Sequence, residues 1–128
     1  NTAYGAVIVK DNQVVAATYN TVNQDSDPSP HAEINVIRNL TTKLKNPSLD
    51  GYSIYTTGYT TGEPCPMCAT ACVWTEISEI IYGASIIDLI TINQAQINIF
   101  CEEVIAKSFR NIKVTKGVFR KECLQLFA

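Results

Sequence analysis

Histidine is nearly absent from this sequence. The 128 residues include one His, His31, and five Cys. A single imidazole excludes sites that need two or three, such as HExxH metalloproteases, two-His zinc fingers and three-His carbonic-anhydrase-type centres. Five is an odd number of cysteines, whereas disulfide-stapled secreted domains are usually shorter and carry an even number. We therefore interpret the cysteines as thiols in a reducing compartment, the cytoplasm, or as metal ligands.

The sequence also lacks a long apolar run. Its longest uncharged stretches, 12–24 and 89–101, are rich in Asn, Gln and Thr and are each 13 residues long. A membrane-spanning helix needs about 20 apolar residues, so we expect no membrane span. The first nine residues contain neither the basic nor the long apolar region of a signal peptide. The length predicts a single domain, 1–128.

Strong charge of either sign is absent as well. Ten Lys and Arg stand against twelve Asp and Glu, a net charge of −2, which argues against a chain built mainly to hold nucleic-acid phosphates. Residues 101–128 carry a small basic excess, which we interpret as a solvated helix face rather than a polyanion-binding patch. The charge therefore gives no indication of a nucleic-acid partner.

The hydrophobic pattern predicts an α/β sheet covered by helices. Two β-branched runs separated by a short polar turn indicate an antiparallel hairpin, and later strands alternate with helices, which indicates parallel pairing. The predicted strands are 4–10, 14–19, 53–57, 77–82 and 112–116. The predicted helices are 31–44, 66–74, 102–108 and 118–127. Loops are expected at 20–30 and 58–64, and residues 84–100 show no clear pattern.

Two short motifs carry the chemistry: His31-Ala32-Glu33 opens the first predicted helix, and Cys65-Pro66-Met67-Cys68 opens the second. One helix, one strand and two loops lie between the two motifs. These elements form one crossover unit, which brings the starts of both helices to the same edge of the sheet. One imidazole and two thiolates would then converge and leave a fourth tetrahedral position open, the layout of a catalytic zinc site. Glu33 is the candidate base beside it.

Each part of this constellation has a plainer interpretation. An isolated CxxC is often redox-active or structural, and Glu33 could simply complement a helix dipole. Cys72 lies four residues after Cys68 on the same helix face, so a closed structural zinc site of His31, Cys65, Cys68 and Cys72 competes with the open one. A structural zinc or thiol-redox domain is therefore the non-enzyme alternative.

Together, HAE and PCPMC match the H-x-E…P-C-x-x-C signature of zinc deaminases. The chain resembles the cytidine and deoxycytidylate deaminase superfamily, in the branch with bacterial guanine deaminases and tRNA-specific adenosine deaminases. The resemblance runs from YGAVIVKDN through DPSPHAEINVIR and EPCPMC to IIYGAS, and returns in VTKGVFRKECLQLF. It implies one Zn²⁺ held by His31, Cys65 and Cys68, Glu33 as proton shuttle, and Cys72 as a pocket or core residue.

The resemblance also implies a fold and an assembly. The fold is a three-layer α/β/α domain of the cytidine deaminase type, whose five-stranded mixed sheet has the order 2-1-3-4-5, and members usually form homodimers. Family members normally have a helix before the first strand, whereas here Tyr4 starts the first strand almost at once. We expect that helix either to be missing or to lie before Asn1.

The resemblance finally suggests a substrate pocket formed by Tyr4, Asn20, Ala32 and Trp74. Asn20 stands where the family's asparagine hydrogen-bonds substrate, and Trp74 stands where bacterial guanine deaminases carry a tryptophan, whose indole could stack on a purine. Tyr4 and Trp74 could equally be core aromatics. We expect hydrolytic deamination of a free purine base or nucleoside, guanine first, with release of ammonia. The alternatives are tRNA wobble adenosine and, third, cytosine or cytidine. The acidic net charge counts against tRNA as a partner without excluding it.

Overall fold

The computed structural model describes residues 4–56 and 62–125 of the chain. In these ranges five strands form one mixed sheet in the order β2-β1-β3-β4-β5, which confirms the expected α/β architecture and strand order. The strands are β1 Gly5–Lys10, β2 Gln13–Tyr19, β3 Ser53–Thr56, β4 Glu79–Tyr82 and β5 Lys113–Thr115.

Strand direction follows the connections between the strands. The turn between β1 and β2 contains Asp11 and Asn12, both with positive φ (50° and 62°), as tight hairpin turns require, and the two strands pair antiparallel. β3 runs antiparallel to β1 but parallel to β4, and β4 runs parallel to β5. The parallel half is the part joined by helical crossovers, as parallel strands require.

Helices follow or precede every strand beyond the hairpin. They are α1 Val22–Asp25, α2 Ala32–Leu44, α3 Pro66–Trp74, α4 Ile86–Thr91, α5 Cys101–Ala106 and α6 Arg120–Gln125. α2 packs on β1 and β2 and touches α3, and α3 in turn contacts α5. None of the helices in the described ranges is long and apolar enough to cross a bilayer.

The main core lies between the sheet and this α2–α3–α5 layer. Ile8, Ile54 and Ile80, from three neighbouring strands, are completely buried, and Val36 and Leu40 of α2 lie one turn apart in the same cluster. A residue pair spaced by four shares one helix face, so this side of α2 is fixed against the sheet. The start of α2, with His31 and Glu33, is thereby held at a sheet edge.

Three elements differ from expectation. Residues 20–30, predicted as loop, include the one-turn helix α1, and the Asn20 side chain accepts the N–H of its first residue, Val22 (3.0 Å), which has no partner within the helix. The 84–100 stretch contains α4, which begins with a reciprocal Ser85–Asp88 capping box. β4 starts at Glu79 rather than at 77, since the Ser78 N–H bonds to Tyr52 outside the strand ladder.

The remaining elements agree to within one or two residues. The predicted end of the third strand at Thr57, most of the 58–64 loop and the last residues of the C-terminal helix lie outside the described residues.

Candidate active site

His31, Cys65 and Cys68 converge, as the motif spacing predicts. Their ligand atoms all lie within 4.8 Å of one another. The sulfur atoms of Cys65 and Cys68 are each 3.6 Å from His31 Nδ1. Among the described residues this is the only group of three or more His, Cys, Asp or Glu side chains that meets metal-ligand distances.

These separations fit a tetrahedral zinc ion. With Zn–N near 2.05 Å and Zn–S near 2.3 Å, a tetrahedral angle places nitrogen and sulfur about 3.6 Å apart. Two thiols and one imidazole are also ligands that zinc prefers. The three residues therefore suit Zn²⁺ with a fourth position left for water or substrate.

Local sequence explains why the ligands meet. His31 is the N-cap of α2 and Cys65 the N-cap of α3, both with extended backbone (ψ 159° and 169°). Pro66 occupies the first turn of α3, where its missing N–H costs no hydrogen bond. Both helices thus begin at the site, and their positive dipole ends favour thiolate.

Hydrogen bonds among His31, Cys65 and Cys68 shift the pKa values of the three side chains in different directions. The bond from Cys68, together with that from His31, lowers the pKa of the Cys65 thiol to about 4. The bond to Cys65 and burial raise the pKa of Cys68 far above its usual range, and the Cys65 contact raises the pKa of His31. Because a metal binds only the deprotonated forms of Cys68 and His31, metal affinity should rise with pH.

Glu33 is a buried carboxyl group on the second residue of α2. It is 5% exposed, and burial, followed by the nearby charge of Cys65, raises its pKa from 4.5 to about 7. A carboxyl group with this pKa exchanges protons readily at neutral pH, which is the property of an efficient general acid and base.

A cavity of about 260 Å³ opens beside these groups. Its described lining includes His31, Glu33 and Cys65, together with Tyr4 and Asn20. Further described lining residues are Val22, Asn23, Pro28, Glu63, Ala95 and Gln96. The structure therefore brings the metal ligands, the carboxyl group and two of the predicted substrate residues to one cavity.

Asn20 and Tyr4 present polar groups on its wall. The side-chain oxygen of Asn20 already accepts the Val22 N–H, so the amide nitrogen is the group that Asn20 presents for further hydrogen bonding. Burial raises the pKa of the Tyr4 hydroxyl, which keeps it protonated, and the hydroxyl donates to Gln94 Oε1 at 3.5 Å. Gln96 Nε2 lies 3.5 Å from that hydroxyl.

Two predicted substrate residues are not among the described lining residues. Ala32 is completely buried, and its carbonyl accepts a hydrogen bond from Thr18 (2.8 Å). Trp74 is 71% exposed and lies against the Phe109 ring (centroids 5.3 Å apart). Trp74 ends α3, nine residues and about 13 Å of helix beyond Cys65. Stacking of this indole on a substrate therefore does not fit the geometry of a single chain.

The structure adds three polar cavity residues that the sequence analysis missed, Asn23, Glu63 and Gln96. Glu63 directly precedes Pro64-Cys65, so an acidic residue beside a ligand motif was an available signal. Gln96 belongs to the 84–100 stretch, which has no periodicity that could have placed it.

Cys72 stays apart from the ligand cluster. It is completely buried and belongs to the hydrophobic core, and burial raises the pKa of its thiol well above the usual range. All five cysteines are free thiols. The described geometry therefore supports three protein ligands rather than a closed four-ligand site.

Residues 1–84 match the family model for the cytidine and deoxycytidylate deaminase zinc-binding region. The chain belongs to this deaminase family. The matched residues include His31, Glu33, Cys65 and Cys68, so this cluster is the candidate for the family's zinc site, and the reaction class is hydrolytic deamination of a nucleobase or nucleoside.

Similar deaminases include enzymes with different substrates. The tRNA-specific adenosine deaminase of Buchnera aphidicola (subsp. Baizongia pistaciae) is 36% identical over 126 residues, 97% of this chain and 72% of that protein. The guanine deaminase of Bacillus subtilis is 40% identical over 81 residues, 63% of this chain and 49% of that protein.

A solved structure from work on adenosine-to-inosine editing by tRNA wobble-position deaminases superposes with a TM-score of 0.73 at 28% identity, covering 95% of this chain and 83% of the other. The guanine deaminase of Nitrosomonas europaea superposes with a TM-score of 0.76 at 22% identity, covering 96% and 69%. The second likeness concerns the fold alone. The relatives thus establish the deaminase family and the fold, but they act on different substrates.

Proposed function

We propose that this protein deaminates a small purine, a free base or nucleoside, with guanine as the first candidate, and releases ammonia. The observation that carries the proposal is the cavity beside the zinc ligands, into which the proton-exchanging carboxyl group of Glu33 faces. Its volume of about 260 Å³ lies just below the range of ordinary ligand pockets, which suits one heterocyclic base.

In the proposed reaction Glu33 moves the protons. Zinc, when bound, supplies a Lewis acid that lowers the pKa of a water molecule. The Glu33 carboxylate accepts the first proton of the attacking water and passes it to the ring nitrogen beside the reacting carbon. It then accepts the second proton of that water, from the hydroxyl group now on the carbon, and passes it to the leaving amine. The carbon–nitrogen bond to the amine breaks, a carbonyl oxygen from water replaces it, and ammonia leaves.

Asn20 and Tyr4 hold the base during these transfers. The Asn20 amide nitrogen donates to an acceptor on the heterocycle, and the protonated Tyr4 hydroxyl lies close enough to the centre to be influenced by the charges of Glu33 and Cys65. Fixing the ring in one orientation keeps its amine next to Glu33, the usual contribution of binding residues to such a reaction.

The charge of the cavity supports an uncharged substrate. All ten Lys and Arg side chains lie within the described ranges, and none of them is among the described lining residues. Two acidic residues, Glu33 and Glu63, do line the cavity. A phosphate-bearing ligand usually meets Arg or Lys, so this lining favours a base or nucleoside over a nucleotide.

Adenosine in tRNA is the second candidate. It is supported by the extent of similarity: the match to the Buchnera tRNA-specific enzyme covers 97% of this chain, whereas the match to the Bacillus guanine deaminase covers 63%. In that case the base would enter the same cavity after leaving its stack.

Ammonia release from a panel of substrates tests the proposal. Zinc-loaded protein is assayed with guanine, guanosine, adenine, adenosine, cytosine and a tRNA anticodon stem-loop, and we expect guanine to be the best substrate. Turnover of the stem-loop alone, with a steep decline as salt is raised, would establish the tRNA alternative. If zinc-loaded protein releases ammonia from none of the six, the proposed function is wrong.

We also propose that the protein acts as a cytoplasmic homodimer. Free thiols are typical of a reducing compartment. Trp74 and Phe109, exposed by 71% and 66%, form an aromatic surface pair of the kind that marks protein interfaces. Sedimentation equilibrium at micromolar concentration should give twice the mass of one chain, and a monomer would contradict the assembly.

A further inference from the structure

Glu63 is the buried polar residue of the cavity that the proposed chemistry leaves unused. It is 5% exposed and lies two residues before Cys65. Its backbone N–H donates to the Ala84 carbonyl (2.7 Å), and Gly62 forms a β-bridge with Ala84. A Cβ on Gly62 would come within 2.8 Å of both the Ala84 oxygen and Leu89 Cδ1, so this close contact requires glycine. The loop before Cys65 is therefore fixed to the end of β4.

The Glu63 carboxylate connects that loop to two helices. Oε1 accepts the Ile86 N–H (3.0 Å), and Oε2 accepts the Cys101 N–H (2.7 Å). Ile86 is the first residue of α4 and Cys101 the first of α5, positions whose N–H groups have no partner within their own helix. One buried side chain thus satisfies one unpaired donor in each of two helices.

These two helices bracket the segment that forms one wall of the cavity. Ala95 and Gln96, which lie between α4 and α5, are lining residues, and Gln96 reaches the Tyr4 hydroxyl across the wall. Glu63 consequently holds both ends of the 86–101 stretch, and its own loop leads directly into the zinc ligand Cys65.

We propose that Glu63 is a positioning residue, which fixes the 86–101 wall of the substrate cavity relative to the ligand loop. The inference rests on the proposed function in one respect, that this cavity receives the substrate. The wall and the metal centre then form a preorganised unit, and the substrate does not have to order the wall when it binds.

Glu63→Gln is the informative variant. It keeps the side-chain shape but replaces one carboxylate oxygen by an NH₂ group, which faces a backbone N–H and cannot accept from it. With guanine, or whichever base of the panel the wild type turns over best, we expect KM to rise about tenfold to a hundredfold and kcat to change much less, with one zinc retained per chain.

Hydrogen–deuterium exchange supplies a readout that does not depend on turnover. In Glu63→Gln, peptides from 86–101 should exchange faster, while peptides from α2 and β1 should stay as protected as in the wild type. This measurement still tests the positioning role if the substrate panel contradicts the proposed function. Glu63→Asp, whose shorter side chain cannot reach both helices, should show the same pattern of exchange. It replaces Glu63→Gln in this experiment if the Gln variant folds poorly.

Two control variants separate positioning from general stability. Glu102→Gln removes an exposed carboxylate from the first turn of α5 (side chain 52% exposed) and should leave KM unchanged. Ile112→Ala weakens the core away from the cavity and should raise exchange broadly without changing KM. If Glu63→Gln behaves like Ile112→Ala, with unchanged KM and evenly raised exchange, Glu63 is only a structural residue and the inference is overturned.

Discussion

Replacing Glu33 by Gln should lower the rate of ammonia release by about 10²–10⁴-fold, the range for loss of a general acid and base, while one zinc per chain stays bound. Gln is nearly isosteric with Glu but cannot accept and return a proton. Glu33→Ala should show the same separation of activity from metal content. Zinc measured by atomic absorption and ammonia measured in the same samples give the two readouts.

The stability of Glu33→Gln supplies the control, because the variant should be no less stable than the wild type. The pKa of Glu33 is raised from 4.5 to about 7 by burial, so the folded state favours the protonated form. Below pH 4.5 the carboxyl group is neutral in both states, and between pH 4.5 and 7 ionisation increasingly destabilises the folded protein. Above pH 7 the full cost applies, about 3 kcal/mol for a shift of this size.

A neutral Gln removes that cost. Metal-free Glu33→Gln should therefore unfold at higher urea concentration than the metal-free wild type at pH 8, and the difference should narrow as the pH falls towards 4.5. A variant that loses both activity and stability at pH 8 would show that Glu33 has a structural role. Retained activity with retained zinc would rule out Glu33 as the proton carrier.

The strands and the convergence of His31, Cys65 and Cys68 were predictable because they depend on local patterns and on the order of the elements. The β-branched run at Val7–Val9 indicates a strand, and the helical spacing of Val36 and Leu40 indicates a helix with one buried face. Once the order of elements is known, the crossover between His31 and Cys65 requires the two helix starts to meet. The ligand convergence follows from topology without any knowledge of side-chain contacts.

The cavity wall was not predictable, because contacts between distant residues define it. Gln96 reaches the site through its approach to Tyr4, 92 residues earlier in the chain, and no periodicity around Gln96 records that contact. Glu63 bonds to backbone N–H groups 23 and 38 residues away. Neither partner leaves a side-chain signal in the sequence, since any residue at those positions offers the same N–H.

Trp74 is not among the described residues that line the cavity, and helical geometry gives the reason. Six residues after Cys68 correspond to about 600° of helical rotation, or about 240° beyond one full turn, so the indole points away from the Cys68 side of α3. It also lies at the C-terminal end of a helix whose N-terminal end holds the ligands. Helical geometry thus separates Trp74 from a site that the same helix helps to build.

The two buried cysteines of α3 offer a matched pair of variants for the metal centre. Cys68 and Cys72 lie one turn apart and are both completely buried, but only Cys68 belongs to the ligand cluster. Cys68→Ala should reduce zinc affinity by about several-hundredfold to several-thousandfold, since sharing about 10–16 kcal/mol of zinc binding among three protein donors assigns about 3–5 kcal/mol to each. Ammonia release should disappear with the metal.

Cys72→Ala is the control, and it also decides between the open and the closed zinc site. Removal of one core sulfur should cost about 1 kcal/mol of stability, while zinc content stays at one per chain and activity stays within about twofold of the wild type. Competition with a chromophoric chelator measures both affinities in one experiment. A loss of zinc affinity in Cys72→Ala as large as that in Cys68→Ala would mean that Cys72 is a fourth ligand. Four protein ligands would leave no position for water or substrate, and the centre would then be structural rather than catalytic.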